Sequence, residues 1–440
     1  MKRNVFISIM LSAIIVFLAA CSNAETTTKE EVSKIETTAD PNAPLVIWTF
    51  SDTTEKAITQ HYLAKYPDKK VDVKVYPLEV FQTRLDGALR TGKNLPDVVA
   101  LEISFVKKYV ESGMLLNLNE LGLNERAKSE LYGYTVDIGT AADGNLYALS
   151  SQAAPGAFFY RKSMANELWG DDSPQFVQQK LSNWDQFLEV AEELKQNGDR
   201  RIVSNLNATQ KVFKALRTDG WVKDQQLQID PVWDVYLNQI RTMQDKGYSN
   251  ETIEYSAGGG WYTDISGDKV FGYFLAAWGL DYHLKANAKN GEYDSSGDWG
   301  VIKGPAEYYD GGTWFAGTSQ STKKDEIKHL LEYLMFDQDY LVSWATKTGD
   351  FSGNKLTVEA VKDQFADDFL QGQNHYELLA EIANNISAKN VTIYDDSIGG
   401  IFSELAISYA LHDQGFEKLS DLYERFKSYV KASYPDVQTE

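Results

Sequence analysis

The chain has 440 residues, with 63 acidic against 43 basic side chains and a formal net charge of -20 at pH 7. Such a surface repels nucleic acid and anionic lipid and argues against a partner recognised through its phosphates. A single cysteine rules out an internal disulfide, and five scattered histidines offer no metal-ligand spacing, so neither a cofactor nor a metal is expected.

The chain opens on Met1-Lys2-Arg3, and Val5 to Ala20 is apolar apart from Ser8 and Ser12. A membrane-spanning helix needs about 20 apolar residues, so a retained anchor helix is one reading. The small pair Ala19-Ala20 before the lone Cys21, with no basic stop-transfer cluster behind it, favours a cleaved signal. The stretch resembles a bacterial lipoprotein signal, which implies that Cys21 is lipidated and becomes the first mature residue. Losing residues 1–20 removes Lys2 and Arg3 and no acid, which takes the net charge from -20 to -22. Residues 21–43, rich in Thr, Glu, Lys, Ser and Ala, are too polar to build a core and read as a flexible tether.

Regular structure is expected from Leu45. The apolar run Leu45-Val46-Ile47-Trp48 fits a strand buried on both faces. Asp52 with Glu55 is a capping-box pattern that starts a helix near Thr53 and runs to about Pro67. Val71, Val73 and Val75 alternate as a second strand. A helix over Leu78 to Thr91 stops at Gly92, and Pro96 to Leu101 forms the third strand. Strand–helix–strand–helix–strand implies a parallel sheet with helical crossovers, here in the order 2-1-3. Gly144–Leu149 and Gly156–Tyr160 read as strands around a Gln-Ala-Ala-Pro turn. Helices are expected from Asn183, over Pro231 to Lys246 with Val232, Val235, Tyr236, Ile240 and Met243 on the buried side, and through most of 323–431. Val270 to Trp278 and Trp299 to Val301 are further strands. About 400 residues exceed what one core serves, so two lobes are expected. They are assigned as 44–150 and 257–320 for the first lobe, and 151–256 and 321–440 for the second.

No His-Glu-x-x-His, Gly-x-Ser-x-Gly or Walker-type loop is present. The pairs Asp171-Asp172, Asp367-Asp368 and Asp395-Asp396 read as solvated acids, although a glycosidase needs only two placed carboxylates and stays open on motif grounds. The ten tryptophans are more informative. A sugar ring packs its C–H face on an aromatic ring while its hydroxyls seek carboxylate or amide acceptors. Trp48 and Trp278 end predicted strands, Trp261 follows Gly258-Gly259-Gly260, and Trp314 follows Gly311-Gly312. Each of the four also reads as a core anchor. In open α/β sheets a ligand lies beyond the carboxyl ends of the strands, which singles out Ser51 and Asp52 after the first strand and Glu102 and Ser104 after the third. Asp52 as a helix cap and Glu102 as a solvated loop acid are the competing readings.

Several segments together resemble the extracellular solute-binding proteins of ABC importers, in their carbohydrate-binding branch. They are Leu95-Pro96-Asp97-Val98-Val99 with Tyr109, Gly113 and Leu115 to Leu118; Gly144 to Leu149 with Phe159 to Lys162; Asn183 to Phe187; Gly267 to Trp278; and Lys323 to Phe336 followed by Thr348-Gly349-Asp350. Ser150, Arg161, Tyr273-Phe274 and Phe351-Ser352 depart from the family pattern. The resemblance implies a two-lobed α/β fold of the periplasmic-binding-protein type II kind, each lobe a central sheet flanked by helices, with the ligand in the cleft between them. It implies a receptor and not an enzyme, working as a monomer, that hands a mono- or oligosaccharide to permease subunits at the outer face of the cell membrane. Ligand contact is carried over to Trp48, Ser51, Asp52, Glu102, Ser104 and Trp278, and further to Trp261, Trp314 and Asp350. Hinges are expected near Ser150 and over Gly317 to Thr322. An exported carbohydrate-active enzyme, or the same fold with a non-sugar solute, are the alternatives. Cys21→Ser is expected to move the protein from the membrane to the soluble fraction, checked by fractionation, with ligand affinity unchanged.

Overall fold

The computed structural model describes residues 43–256 and 258–439, so the signal stretch, Cys21 and nearly all of the tether lie outside the described residues. Nine strands build the two larger sheets: β1 (Leu45–Thr49), β2 (Val71–Val75), β3 (Val98–Glu102), β4 (Leu149–Ser150), β5 (Pro155–Arg161), β6 (Gly272–Ala276), β7 (Trp299–Ile302), β8 (Tyr308–Tyr309) and β9 (Thr313–Gly317). The first sheet has the order β2-β1-β3-β9-β4. Its first three strands are parallel and β9 is antiparallel to β3. In the second sheet β5 is the central strand, flanked by β6, β7 and β8, all antiparallel to it.

Strand periodicity divides the core into layers. Along β3, Val98 and Ala100 face one way and Val99 and Leu101 the other. Along β5, Ala157 and Phe159 alternate with Phe158 and Tyr160 in the same manner. Val99 and Leu101 of β3, Trp314 and Ala316 of β9, Ala157 and Phe159 of β5, and Tyr273 and Leu275 of β6 belong to one shared core. The outward face of the first sheet packs on helix Lys324–Phe336. That of the second packs on helices Trp184–Gln196 and Val232–Lys246. Both sheets are thus covered on both faces, which is why their inner strands β3, β5 and β6 are almost wholly buried, whereas the edge strand β2 alternates valine with Asp72 and Lys74.

Local signals set the element ends. Helix Leu78–Thr91 stops at Gly92, whose φ of 65° is the left-handed cap that glycine adopts without strain. Helix Trp184–Gln196 begins where the Asn183 side chain accepts the Gln186 N–H. The first helix starts at Asp52 and not Thr53, because Ser51 is the capping residue, accepting the Thr54 N–H at 3.4 Å. Val235 is exposed, and the buried side of its helix is Trp233, Tyr236, Leu237, Ile240 and Met243. No helix among the described residues is long and apolar enough to cross a membrane.

The chain passes between the sheets at 151–154, after β4, and returns at 310–312, between β8 and β9. The expected hairpin around Gln-Ala-Ala-Pro is therefore a crossing: β4 pairs with β9, and β5 with the second sheet. Segment 257–320, expected to return whole to the first lobe, instead gives β6, β7 and β8 to the second sheet and only β9 to the first. Gly317 to Thr322 is not a crossing either, since it leads from β9 into helix Lys324–Phe336, which packs on the same sheet. β6, β7 and β8 each pair with β5, and of the strands after residue 257 in the two larger sheets only β9 joins the first.

Inside the second lobe, Arg217 Nη2 donates to Asp395 Oδ1 at 2.7 Å with side chains 1% and 3% exposed. The pair joins the end of helix Gln210–Leu216 to the turn before helix Ser397–Ala410. Breaking a buried pair strands the remaining charge. Asp395→Ala is expected to lower unfolding free energy by about 3–5 kcal/mol in a denaturant titration.

Candidate functional site

Parallel pairing of β1 with β3 places their carboxyl ends side by side, so the loops at Phe50-Ser51 and at Glu102 open on one space. The second sheet reaches the same space through the segment after β6, which carries Trp278, Tyr282 and His283. The crossings supply Gln152, Gly311 and Gly312, and the turn after helix Gln338–Thr348 supplies Asp350. Together they enclose a cavity of about 370 Å³. The Thr53 and Tyr282 hydroxyls lie 3.0 Å apart and join the two sides at its exposed edge.

Two carboxyls line this cavity. Glu102 Oε2 accepts from the N–H and hydroxyl of Ser104 at 2.7 and 2.5 Å. Asp350 Oδ1 accepts from the Gln152 amide, and Oδ2 from the Trp344 indole N–H at 3.3 Å. Burial pushes both carboxyls above their ordinary pKa, and these donors oppose it only in part. Among the described residues no lysine or arginine lines the cavity. Trp278 donates its indole N–H to the Asp310 carbonyl at 2.9 Å, which fixes the ring at the cavity wall. Burial, then the charge of Lys211, pushes the His283 imidazole down to about 4, so it is neutral at physiological pH.

A second cavity of about 340 Å³ adjoins the first. Ser104 lines it while holding Glu102 in the first, and Asp310 lines it while its carbonyl holds Trp278. Its remaining wall comes from the second lobe, with Trp221 and Trp233 among the lining residues. At the junction Lys211 Nζ lies 2.8 Å from both Glu254 and Asp310 and 3.2 Å from the Tyr255 hydroxyl. Burial opposes the Lys211 charge, but Asp310 and Glu254 outweigh it and hold its pKa well above the usual value. Tyr255 has a φ of 60°, a conformation disfavoured for a bulky side chain, and its ring stacks on His283 at 4.7 Å.

Of the residues singled out in the sequence, Ser51, Glu102, Trp278 and Asp350 meet at the first cavity and Ser104 at the second. The others fall elsewhere. Trp48, 5% exposed, points into the shared core against Tyr76, because it lies one residue inside the end of β1. Trp314, 1% exposed, packs in the same core and donates its indole N–H to the Thr135 carbonyl at 2.9 Å. Trp261, also 1% exposed, lies behind the site and braces Tyr255 and His283 edge-on. Asp52 is exposed at the start of its helix, outside both linings. Gln152, Lys211, Tyr255, His283 and Asp310 had not been singled out. Gln152 and Asp310 sit in the two crossings, and the Gly258-Gly259-Gly260 run next to Tyr255 was the nearest signal for that loop. No pattern marked Lys211.

The sequence profile of the family described as bacterial extracellular solute-binding protein matches residues 48–341. An arabinooligosaccharide-binding protein of Halalkalibacterium halodurans is 21% identical over 426 residues, covering 88% of each chain. Among solved structures, an extracellular solute-binding protein of family 1 superposes with a TM-score of 0.77 at 19% identity, covering 89% of this chain and 99% of that one. The ABC transporter associated binding protein of B. animalis subsp. lactis Bl-04, solved in complex with beta-1,6-galactobiose, gives a TM-score of 0.69 at 21% identity, covering 90% and 98%. The structural likenesses bear out the two-lobed fold. The profile match extends over more than half of the sequence, and the chain belongs to the bacterial extracellular solute-binding protein family.

Proposed function

We propose that this protein captures a sugar or oligosaccharide in the cleft between its lobes and delivers it to the permease of an ABC importer. The observation that carries the reading is the first cavity, which the Trp278 ring lines together with the carboxyls of Glu102 and Asp350. An aromatic face takes the C–H side of a sugar ring, and carboxylate oxygens accept from its hydroxyls. The relatives support it, since one is an arabinooligosaccharide-binding protein and another was solved with beta-1,6-galactobiose.

The work done is binding. Loops of the first sheet and the segment after β6 contact one ligand, so a sugar in the cleft favours the closed arrangement by as much as its contacts differ between open and closed states. The closed form is what the permease receives. Lipid on Cys21 holds the receptor, as a monomer, at the outer face of the membrane. The polar tract up to residue 43 lets it range from there.

Burial raises the Glu102 and Asp350 pKa values in the folded chain above those of the unfolded chain. Their contribution to stability is therefore full below the ordinary carboxylate range and is lost as pH rises from there through the folded-state values. Sugar hydroxyls that donate to these oxygens favour the ionised form, so binding releases protons and tightens with rising pH across the same window.

Titration calorimetry in buffers of different ionisation enthalpy is expected to show that release just above pH ~4, the ordinary carboxylate value. Glu102→Gln should release fewer protons and gain stability above that window. It should also bind sugar roughly 10- to 100-fold more weakly, as expected for loss of a hydrogen bond to a charged group. A thermal-shift and tryptophan-fluorescence screen with arabino-oligosaccharides, galactobiose and maltose should find a stabilising ligand, and Trp278→Ala should lose the shift. A shift produced by peptides or metal ions but by no saccharide, or turnover of the sugar to products, would overturn the reading.

A further inference from the structure

The second cavity has features that the first does not explain. Helix Ser397–Ala410 places Gly399 and Gly400 in its first turns, and both line this cavity. Glycine is unfavourable inside a helix, and neither residue adopts the positive φ that would call for it. Packing does not demand it either. A Cβ on Gly400 would meet nothing within 4 Å, and one on Gly399 would make only an ordinary contact, 3.4 Å from Trp221 Nε1. What the two glycines leave is open approach to the wall behind them.

That wall is the Trp221–Trp233 pair, two parallel indoles with ring centroids 5.2 Å apart and planes 3° from parallel. Each is 1% exposed, both line the cavity, and neither indole N–H has a hydrogen-bond partner among the described residues. Buried donors are almost always paired, so two orphan donors in one wall point to acceptor oxygens supplied from outside the chain. Sugar hydroxyl and ring oxygens are such acceptors.

The charge pattern narrows the ligand. The first cavity holds two carboxyls and no lysine or arginine, so a sugar acid or sugar phosphate meets repulsion there. The second cavity is lined by Lys211 and Lys214 but also by Glu254, Asp310, Asp395 and Asp396, so its acids outnumber its bases, and the Lys211 charge is already taken up by Glu254 and Asp310.

We propose that the two cavities form one groove for an uncharged oligosaccharide of two or more rings. One ring lies at Glu102 and Trp278, and a further ring lies over Gly399 and Gly400 against the Trp221–Trp233 pair. This rests on the sugar-capture reading above and adds chain length and charge to it.

The test is titration calorimetry on the purified full chain with arabinose, galactose and glucose, each as mono-, di- and trisaccharide, and with galacturonic acid. In one neutral series affinity should rise at least tenfold from the monosaccharide to the longer sugars, and galacturonic acid should bind more weakly than galactose. Gly400→Leu, which fills the open space, should bring the ratio of trisaccharide to monosaccharide affinity close to one. Gly400→Ala should give an intermediate ratio with a melting temperature at or above that of the unaltered chain, which separates blockage from misfolding. A monosaccharide that binds as tightly as its oligomers, a ratio unchanged in Gly400→Leu, or preferred binding of galacturonic acid would overturn this inference and leave sugar capture standing. Binding of no sugar in any series would overturn sugar capture and this inference with it.

Discussion

The structure depends on a small set of backbone hydrogen bonds that lace together three separate passages of chain. Segment 151–154 lies against 349–354, with the Ala153 N–H donating to the Phe351 carbonyl at 3.1 Å and the Gly353 N–H to the Ser151 carbonyl at 2.7 Å. The 310–312 passage joins them through the Asp310 N–H and the Ala154 carbonyl at 3.1 Å. The buried Ser150 hydroxyl has one proton to share, and it lies 2.6 Å from the Gln152 carbonyl and 2.8 Å from that of Thr313. Each passage then delivers a residue to the cleft: Gln152, Asp310 and Asp350. The strip that joins the lobes and the floor of the site are the same residues, so any relative movement of the lobes is felt directly at the ligand.

The electrostatics of that floor follow from its burial. Carboxyls kept from water without a cation resist ionisation, as Glu102 and Asp350 do. Lys211 stays charged only because Asp310 and Glu254 face it together. Removing Lys211 would leave two carboxylates uncompensated, which is the costly case for buried ions. The same cluster secures the loop that holds Tyr255 in its disfavoured backbone conformation, with the Tyr255 hydroxyl beside Lys211 and its ring stacked on His283. Polar groups here fix positions more than they add stability.

Much of the first sheet was legible in the sequence because its signals are local. The apolar run at Leu45, the alternating valines from Val71 and the stop at Gly92 each act over a few residues, and the 2-1-3 order follows from helical crossovers. Position relative to strand ends drew attention to Ser51, Glu102 and Trp278, which line one cavity. Trp48, picked out by its strand end, and Trp314, picked out by the glycines before it, lie in the shared core instead, because strand parity decides which face a side chain takes. The path of the chain after residue 257 was misread for a different reason. Which sheet an apolar strand joins depends on pairing with partners far away in sequence, and β6 and β9 look alike locally. Lys211 left no trace, since a lysine on a helix carries no mark of the acids that tertiary structure sets against it.

The insertion of β9 into the first sheet has a consequence for the order of assembly. β3 pairs with β4 only through β9, and the register that sets Trp314 against Leu101 joins residues more than 200 positions apart. Until that late segment has been made, the first three strands present an open apolar edge and the shared core lacks one of its strands. Contacts this distant in sequence form slowly, because the intervening chain must be gathered before they reward it. The first sheet thus cannot close until β6, β7 and β8 of the second have already been made.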